Sequence, residues 1–129
     1  MEHSTPGEQD PLTREIIGAA IEVHKTLGPG LLEAIYEECL CVELADRDLG
    51  VRRQVPIPVT YKGRTLDCAY RCDVLVNEAV VVEIKAVEKV LPVFEAQLLS
   101  YLRLMNKRVG LLLNFHTPYL RDGIVRRVL

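Results

Sequence analysis

No apolar run in this sequence approaches the roughly 18 residues that a membrane span requires, and the polar start MEHSTPGEQD has no basic region leading into a hydrophobic stretch. A membrane-embedded class and a secretory signal peptide are therefore not expected, and the reading places the chain in the cytoplasm. Basic residues are not in excess either. The formal net charge is -2, without the strong positive balance common in nucleic-acid binders. Local doublets remain available for phosphate contacts at Arg52-Arg53, at Arg103 with Lys107-Arg108, and at Arg126-Arg127. Their ordinary alternative is solvated charge at the ends of elements.

Cysteine is present but badly spaced for metal or disulfide chemistry. Cys39 and Cys41 are two apart in a helical pattern and point to different faces. Cys68 and Cys72 share the face of an expected strand, about 13 Å apart. Buried free thiols fit better than a zinc, iron or redox centre. With 129 residues, 49% hydrophobic and 26% charged, the chain suits one globular core. We expect a lead-in over residues 1–11 and a single domain over 12–129.

Periodicity supplies the element order. Ile16, Ile17, Ala20, Val23 and Leu27 form a helical stripe that Thr13 can cap and that Gly28-Pro29-Gly30 ends. A second helix is expected over 31–46, burying Leu32, Ile35, Cys39 and Val42, with Glu37, Glu38 and Glu43 mostly elsewhere. Val55, Ile57 and Val59 alternate around two prolines as a short edge strand, followed by a turn at Tyr61-Lys62-Gly63-Arg64. Strands over 65–76 and 79–86 form a hairpin through Asn77-Glu78. A helix over 93–106 with Phe94, Leu98, Tyr101, Leu102 and Met105 on its apolar face precedes a buried central strand over 109–115, and residues 123–129 add one more. The expected class is α/β, a mixed central sheet flanked by helices in the order ααβββαβ(β).

Chemistry concentrates in Val80-Val81-Val82-Glu83-Ile84-Lys85. Glu83 and Lys85 share one strand face while Val82 and Ile84 pack on the other. A carboxylate there suits a hard divalent cation, and the neighbouring ammonium suits a water and a phosphate. A strand-end ion pair is the plain alternative. The hairpin can bring Asp73 beside Glu83, and two adjacent buried carboxylates repel unless a cation or a proton joins them, which makes Mg²⁺ or Mn²⁺ a natural occupant. His24 could add a ligand or a proton-transfer group, or could be a structural histidine at a helix end.

Asp73 followed by Glu83-Ile84-Lys85 resembles the signature of the PD-(D/E)xK nuclease superfamily, with Cys72 where the superfamily's proline would stand. Gly30-Leu31-Leu32-Glu33-Ala34-Ile35-Tyr36 is similar to the pattern that names the GxxExxY family within it, reinforced by residues 23–30 just before. Gln97 and Tyr101 in a helix after the lysine resemble the RecB-like branch, and the similarity spans about residues 12–129. The resemblance implies a restriction-endonuclease-like core and a metal-dependent nuclease acting on DNA or RNA. It implies Asp73, Glu83 and Glu33 as metal ligands, Lys85 as the residue that positions water, and Gln97 and Tyr101 as supports. Tyr36 would steady Glu33 or a phosphate. The competing reading is a non-catalytic binding or scaffold protein that retains the fold, as a homodimer or partner subunit. Glu33 can also be a solvated first-turn glutamate, and Tyr101 a core residue with its hydroxyl at the edge.

Overall fold

The computed structural model describes residues 10–66 and 70–129. Helix α1, Pro11–Leu27, is capped by Asp10, whose carboxylate accepts the Thr13 N–H and the Thr13 hydroxyl, both at 2.9 Å. Thr13, the expected cap, is thus the buried partner of the cap, and the actual cap, Asp10, lies three residues earlier. Pro11 suits the first helical position because no partner is needed there for a backbone N–H. Gly28, at φ 70, stops the helix by returning its N–H to the His24 carbonyl at 2.8 Å.

Helix α2, Glu33–Asp46, starts later than expected and buries a different face. Tyr36, Leu40 and Leu44 are its fully buried apolar residues, whereas Leu32, Ile35 and Val42 are exposed. Apolar residues surround this helix, so spacing alone offers two plausible stripes. The aromatic one wins because Tyr36 stacks on Phe115, with ring centroids 4.5 Å apart.

The strands are β1 Val51–Pro56, β2 Val59–Tyr61, β3 Arg64–Leu66, β4 Arg71–Val76, β5 Val80–Lys85, β6 Val109–Asn114 and β7 Ile124–Val128, with α3 Pro92–Met105 between β5 and β6. The expected strand over 65–76 is two strands. Lys62 and Gly63 both take positive φ, closing β2 on β3 as a separate tight hairpin, while β4 belongs to the main sheet. Asn77 and Glu78, at φ 51 and 53, turn β4 into β5. The main sheet is mixed, in the order β1-β4-β5-β6-β7, with only β5 and β6 parallel. This is a restriction-endonuclease-like α/β core with one hairpin more than the expected order.

Two apolar layers sandwich the sheet. On one face α1 and α2 pack Ile16, Ala20, Tyr36, Leu40 and Leu44 against Val74, Val82, Ile84, Leu111 and Leu113. On the other, Leu98, Tyr101 and Leu102 of α3 meet Leu75, Val81 and Leu112. Consecutive leucines in β6 therefore serve opposite layers, which explains its unbroken apolar run. Each such buried side chain contributes about 1.5–3 kcal/mol relative to exposure. Among the described residues no helix is long and apolar enough to cross a membrane.

Candidate active site

The β4–β5 register pairs Val74 with Val82, so Asp73 and Glu83 stand opposite one another one residue further on. There the ordinary ladder yields to side chains. The Asp73 N–H donates to Glu83 Oε2 at 2.9 Å, and the Ile84 N–H donates to Asp73 Oδ2 at 2.8 Å. Glu83 is only 6% exposed. Burial, and next the charge of Asp73, push its carboxyl up to about 8, against the opposing pull of the Asp73 N–H and of Lys85. Asp73 is likewise raised, first by burial and then by the charges of Glu37 and Glu33, while hydrogen bonds from Ile84 and Gln54 oppose the rise.

Asp73 lies where the two strands on its side of the sheet change face. Val51 of β1 packs on the α1/α2 layer, but Val55 and Ile57, an even number of residues away, pack on the α3 layer. In β4 the same holds for Val74 and Cys72. Period-two alternation forbids this in a regular strand. The irregularity is Gln54, at φ 50 within β1, and the β1–β4 register is unchanged on either side of it. Asp73 consequently sits on the seam between the layers and interacts with acids from both sides.

Lys85 ends β5, half-buried, with Nζ 4.5 Å from the centre of the Phe94 ring. Glu33, the first residue of α2, accepts the Ala86 N–H at 3.2 Å and so reaches the chain immediately beyond Lys85. Tyr101 is buried beneath the acids, and burial followed by the Glu83 charge raises its phenol to about 12. Gln97 is half-buried on α3, and its side chain makes no hydrogen bond among the described residues. The α3 residue that meets Lys85 is Phe94. His24 donates from Nε2 to the Thr117 carbonyl at 2.9 Å. Tyr36 does not steady Glu33: its hydroxyl donates to the Gly28 carbonyl at 2.6 Å and accepts the Leu31 N–H at 3.1 Å. It holds the turn from which α2 springs.

Two residues at this site escaped sequence reasoning. Glu37 is 7% exposed and is bound by Arg53, with Nε and the terminal nitrogen both at 3.0 Å, and by Gln54 Nε2 at 2.9 Å. The Gln54 amide also lies 3.4 Å from Asp73 Oδ1, bridging the two acids. Glu37 was detectable, since it follows Glu33 by four residues on one helical face. Gln54 was not, because nothing local marks a glutamine for the left-handed region.

The donor set suits a hard cation: a buried and a half-buried carboxylate that repel one another, beside a lysine, with no cationic side chain bonded to either among the described residues. Among the described residues no three His, Cys, Asp or Glu side chains gather closely enough to hold a metal by themselves. That is compatible with Mg²⁺, which takes one or two carboxylates and keeps several waters. Cysteine does not compete for the role. Cys39, Cys41 and Cys72 are free, and burial raises the Cys41 and Cys72 thiols to about 11 and about 12; Cys68 lies outside the described residues.

A mixed sheet between helical layers, with opposed acids and a lysine at one strand end, defines a nuclease-like protein of the restriction-endonuclease class. The family model described as the PD-(D/E)XK nuclease superfamily matches residues 10–128, and the chain belongs to that superfamily. No curated protein and no solved structure matches it.

Proposed function

We propose that the chain is a Mg²⁺- or Mn²⁺-dependent nuclease of the GxxExxY family, in the RecB-like branch, hydrolysing phosphodiesters of DNA or RNA as one domain over residues 12–129. The observation that carries this reading is the opposition of Asp73 and Glu83 beside Lys85. Asp73 and Glu83 would hold the ion, and Glu33 would complete its shell through water. When bound, the ion polarises the phosphate and lowers the pKa of its water. Lys85 orients the attacking water and offsets phosphate charge, and the face of Phe94 keeps its ammonium at the site. Tyr101 closes the floor beneath Glu83 and excludes solvent, and Gln97, one turn earlier on α3, supports the bound strand. Free thiols at Cys39, Cys41 and Cys72 suit a reducing compartment and support a cytoplasmic setting.

The second reading, a non-catalytic scaffold working as a homodimer or partner subunit, has one observation in its favour. Asp73 and Glu83 each accept a backbone N–H across the strand pair, a stapling role that needs no chemistry. A cleavage assay on single- and double-stranded DNA and RNA with Mn²⁺ separates the two. Asp73→Ala and Lys85→Ala are expected to lower turnover at least about a hundredfold, and calorimetric Mn²⁺ binding should be lost in Asp73→Ala. Full turnover in either variant removes the site assignment; Mn²⁺ binding with no cleavage of any substrate favours the scaffold.

A further inference from the structure

Two of the three basic clusters that the sequence offered for phosphate contacts are engaged, whereas Arg103, Lys107 and Arg108 form no ion pair among the described residues. Arg52 pairs with Glu78, Arg53 with Glu37 and Glu38, Arg126 with Asp10, and Arg127 with Glu95. Open cations also line a groove that holds no acid. A groove of about 580 Å³ between the end of α1 and the segment after β6 is lined by His24, Lys25, Gly28, Tyr119 and Arg121, among others, and by no aspartate or glutamate. Among the described residues neither Lys25 nor Arg121 forms an ion pair. Tyr119 is 65% exposed, and the Arg121 guanidinium carbon lies 5.9 Å from its ring centre.

A chain of three contacts links the groove to the strand that carries the candidate site. The Lys85 backbone carbonyl accepts the Phe115 N–H at 2.9 Å, Phe115 stacks on Tyr36, and the Tyr36 hydroxyl donates to the Gly28 carbonyl in the groove wall. On the groove's floor, His24 is locked to the Thr117 carbonyl. Groove and acids therefore occupy the same end of the parallel β5–β6 pair, the edge where open α/β sheets place their ligands.

We propose that this groove binds a single-stranded nucleic acid flanking the scissile bond, with phosphates on Lys25 and Arg121 and one base stacked on Tyr119. The inference rests on the nuclease reading for its strand, but its own evidence is the groove's charge and its exposed ring. A duplex keeps its bases inside the stack, so an open aromatic beside two unpaired cations suits an unpaired strand. The groove's size falls within the roughly 300–1,000 Å³ of ordinary ligand sites.

The test is fluorescence anisotropy of short labelled single strands in EDTA, where no cleavage occurs, with a photoreactive halogenated uracil in a parallel sample. Tyr119→Ala should weaken binding roughly tenfold with the salt dependence unchanged. Lys25→Ala with Arg121→Ala should reduce the slope of log affinity against log salt by about 1.4, two contacts at roughly 0.7 each. The crosslink should map to Tyr119. All three side chains are exposed, so the variants should melt as wild type does, which circular dichroism checks. Wild-type affinity in these variants, a crosslink elsewhere, tighter binding of duplex, or no binding at all overturns the proposal. Groove-dependent binding without Mn²⁺-supported cleavage would leave the groove standing and remove the nuclease reading; cleavage with groove variants of full affinity would do the reverse.

Discussion

Glu83, a ligand in the proposed site, is a residue whose burial works against the fold. Its carboxyl is held at about 8 against an ordinary value of 4.5, by burial first and by Asp73 second. The folded protein therefore grips this proton more tightly than the unfolded chain does. Between those two values the unfolded state has released the proton and the folded state has not, so unfolding loses a proton and stability falls as pH rises. The contribution is complete below about pH 4.5 and is lost as pH climbs through about 8. In EDTA, the urea midpoint of wild type should decline across this window more steeply than that of Glu83→Gln, whose amide oxygen can still accept the Asp73 N–H. Parallel declines would show that Glu83 is solvated and ionised throughout. The opposition of Asp73 and Glu83 was legible because period-two alternation and a two-residue turn together set which residues oppose each other. Glu37 shares a helical face with Glu33, but its burial depends on Arg53 and on Gln54 arriving from β1, and nothing local marks that glutamine.

At the scale of elements, the helices and the central strands were legible where one periodicity was available, and illegible where two competed. Helix α3 has a single apolar face, and Leu98, Tyr101 and Leu102 are buried as expected. Helix α2 carries apolar residues all round, and only the partner surface decides that Tyr36, Leu40 and Leu44 go inward. Strand β1 is the other hard case. Gln54 adopts φ 50, a conformation that adds on the order of 1–3 kcal/mol for a residue other than glycine, and only its amide contacts to Glu37 and Asp73 explain why a glutamine stays there. Two replacements separate the backbone effect from the side-chain effect. Gln54→Ala loses the amide and keeps the strained backbone; Gln54→Gly loses the amide and relieves the strain. Glycine should therefore be the more stable of the two by about 1 kcal/mol in urea denaturation, a reversal of the usual order in strands. If alanine is the more stable, the face change in β1 and β4 does not depend on a left-handed residue at this position.

Across the whole molecule, a net charge of -2 conceals two opposite fields. Glu33, Glu37 and Glu83 act on one another through Asp73, while Lys25 and Arg121 line a groove without acids. Arg47, Arg52, Arg53, Arg126 and Arg127 are neutralised in pairs, so summing charges over the chain says little about either region. Gathering acids in this way destabilises the metal-free fold, and a cation that binds only the folded state recovers the loss by mass action, about 2.7 kcal/mol at a hundred times its dissociation constant. For a chain of 129 residues this amounts to a rise in Tm on the order of 10 °C. The two effects have opposite signs in Glu83→Gln, which removes the repulsion together with a ligand. Without metal at pH 8 the variant should melt above wild type; with saturating Mn²⁺ wild type should melt above the variant. Scanning calorimetry of both proteins with and without Mn²⁺ reads the exchange of order directly. A wild-type Tm indifferent to Mn²⁺, or an equal rise in the variant, would mean that Asp73 and Glu83 staple two strands and hold no ion.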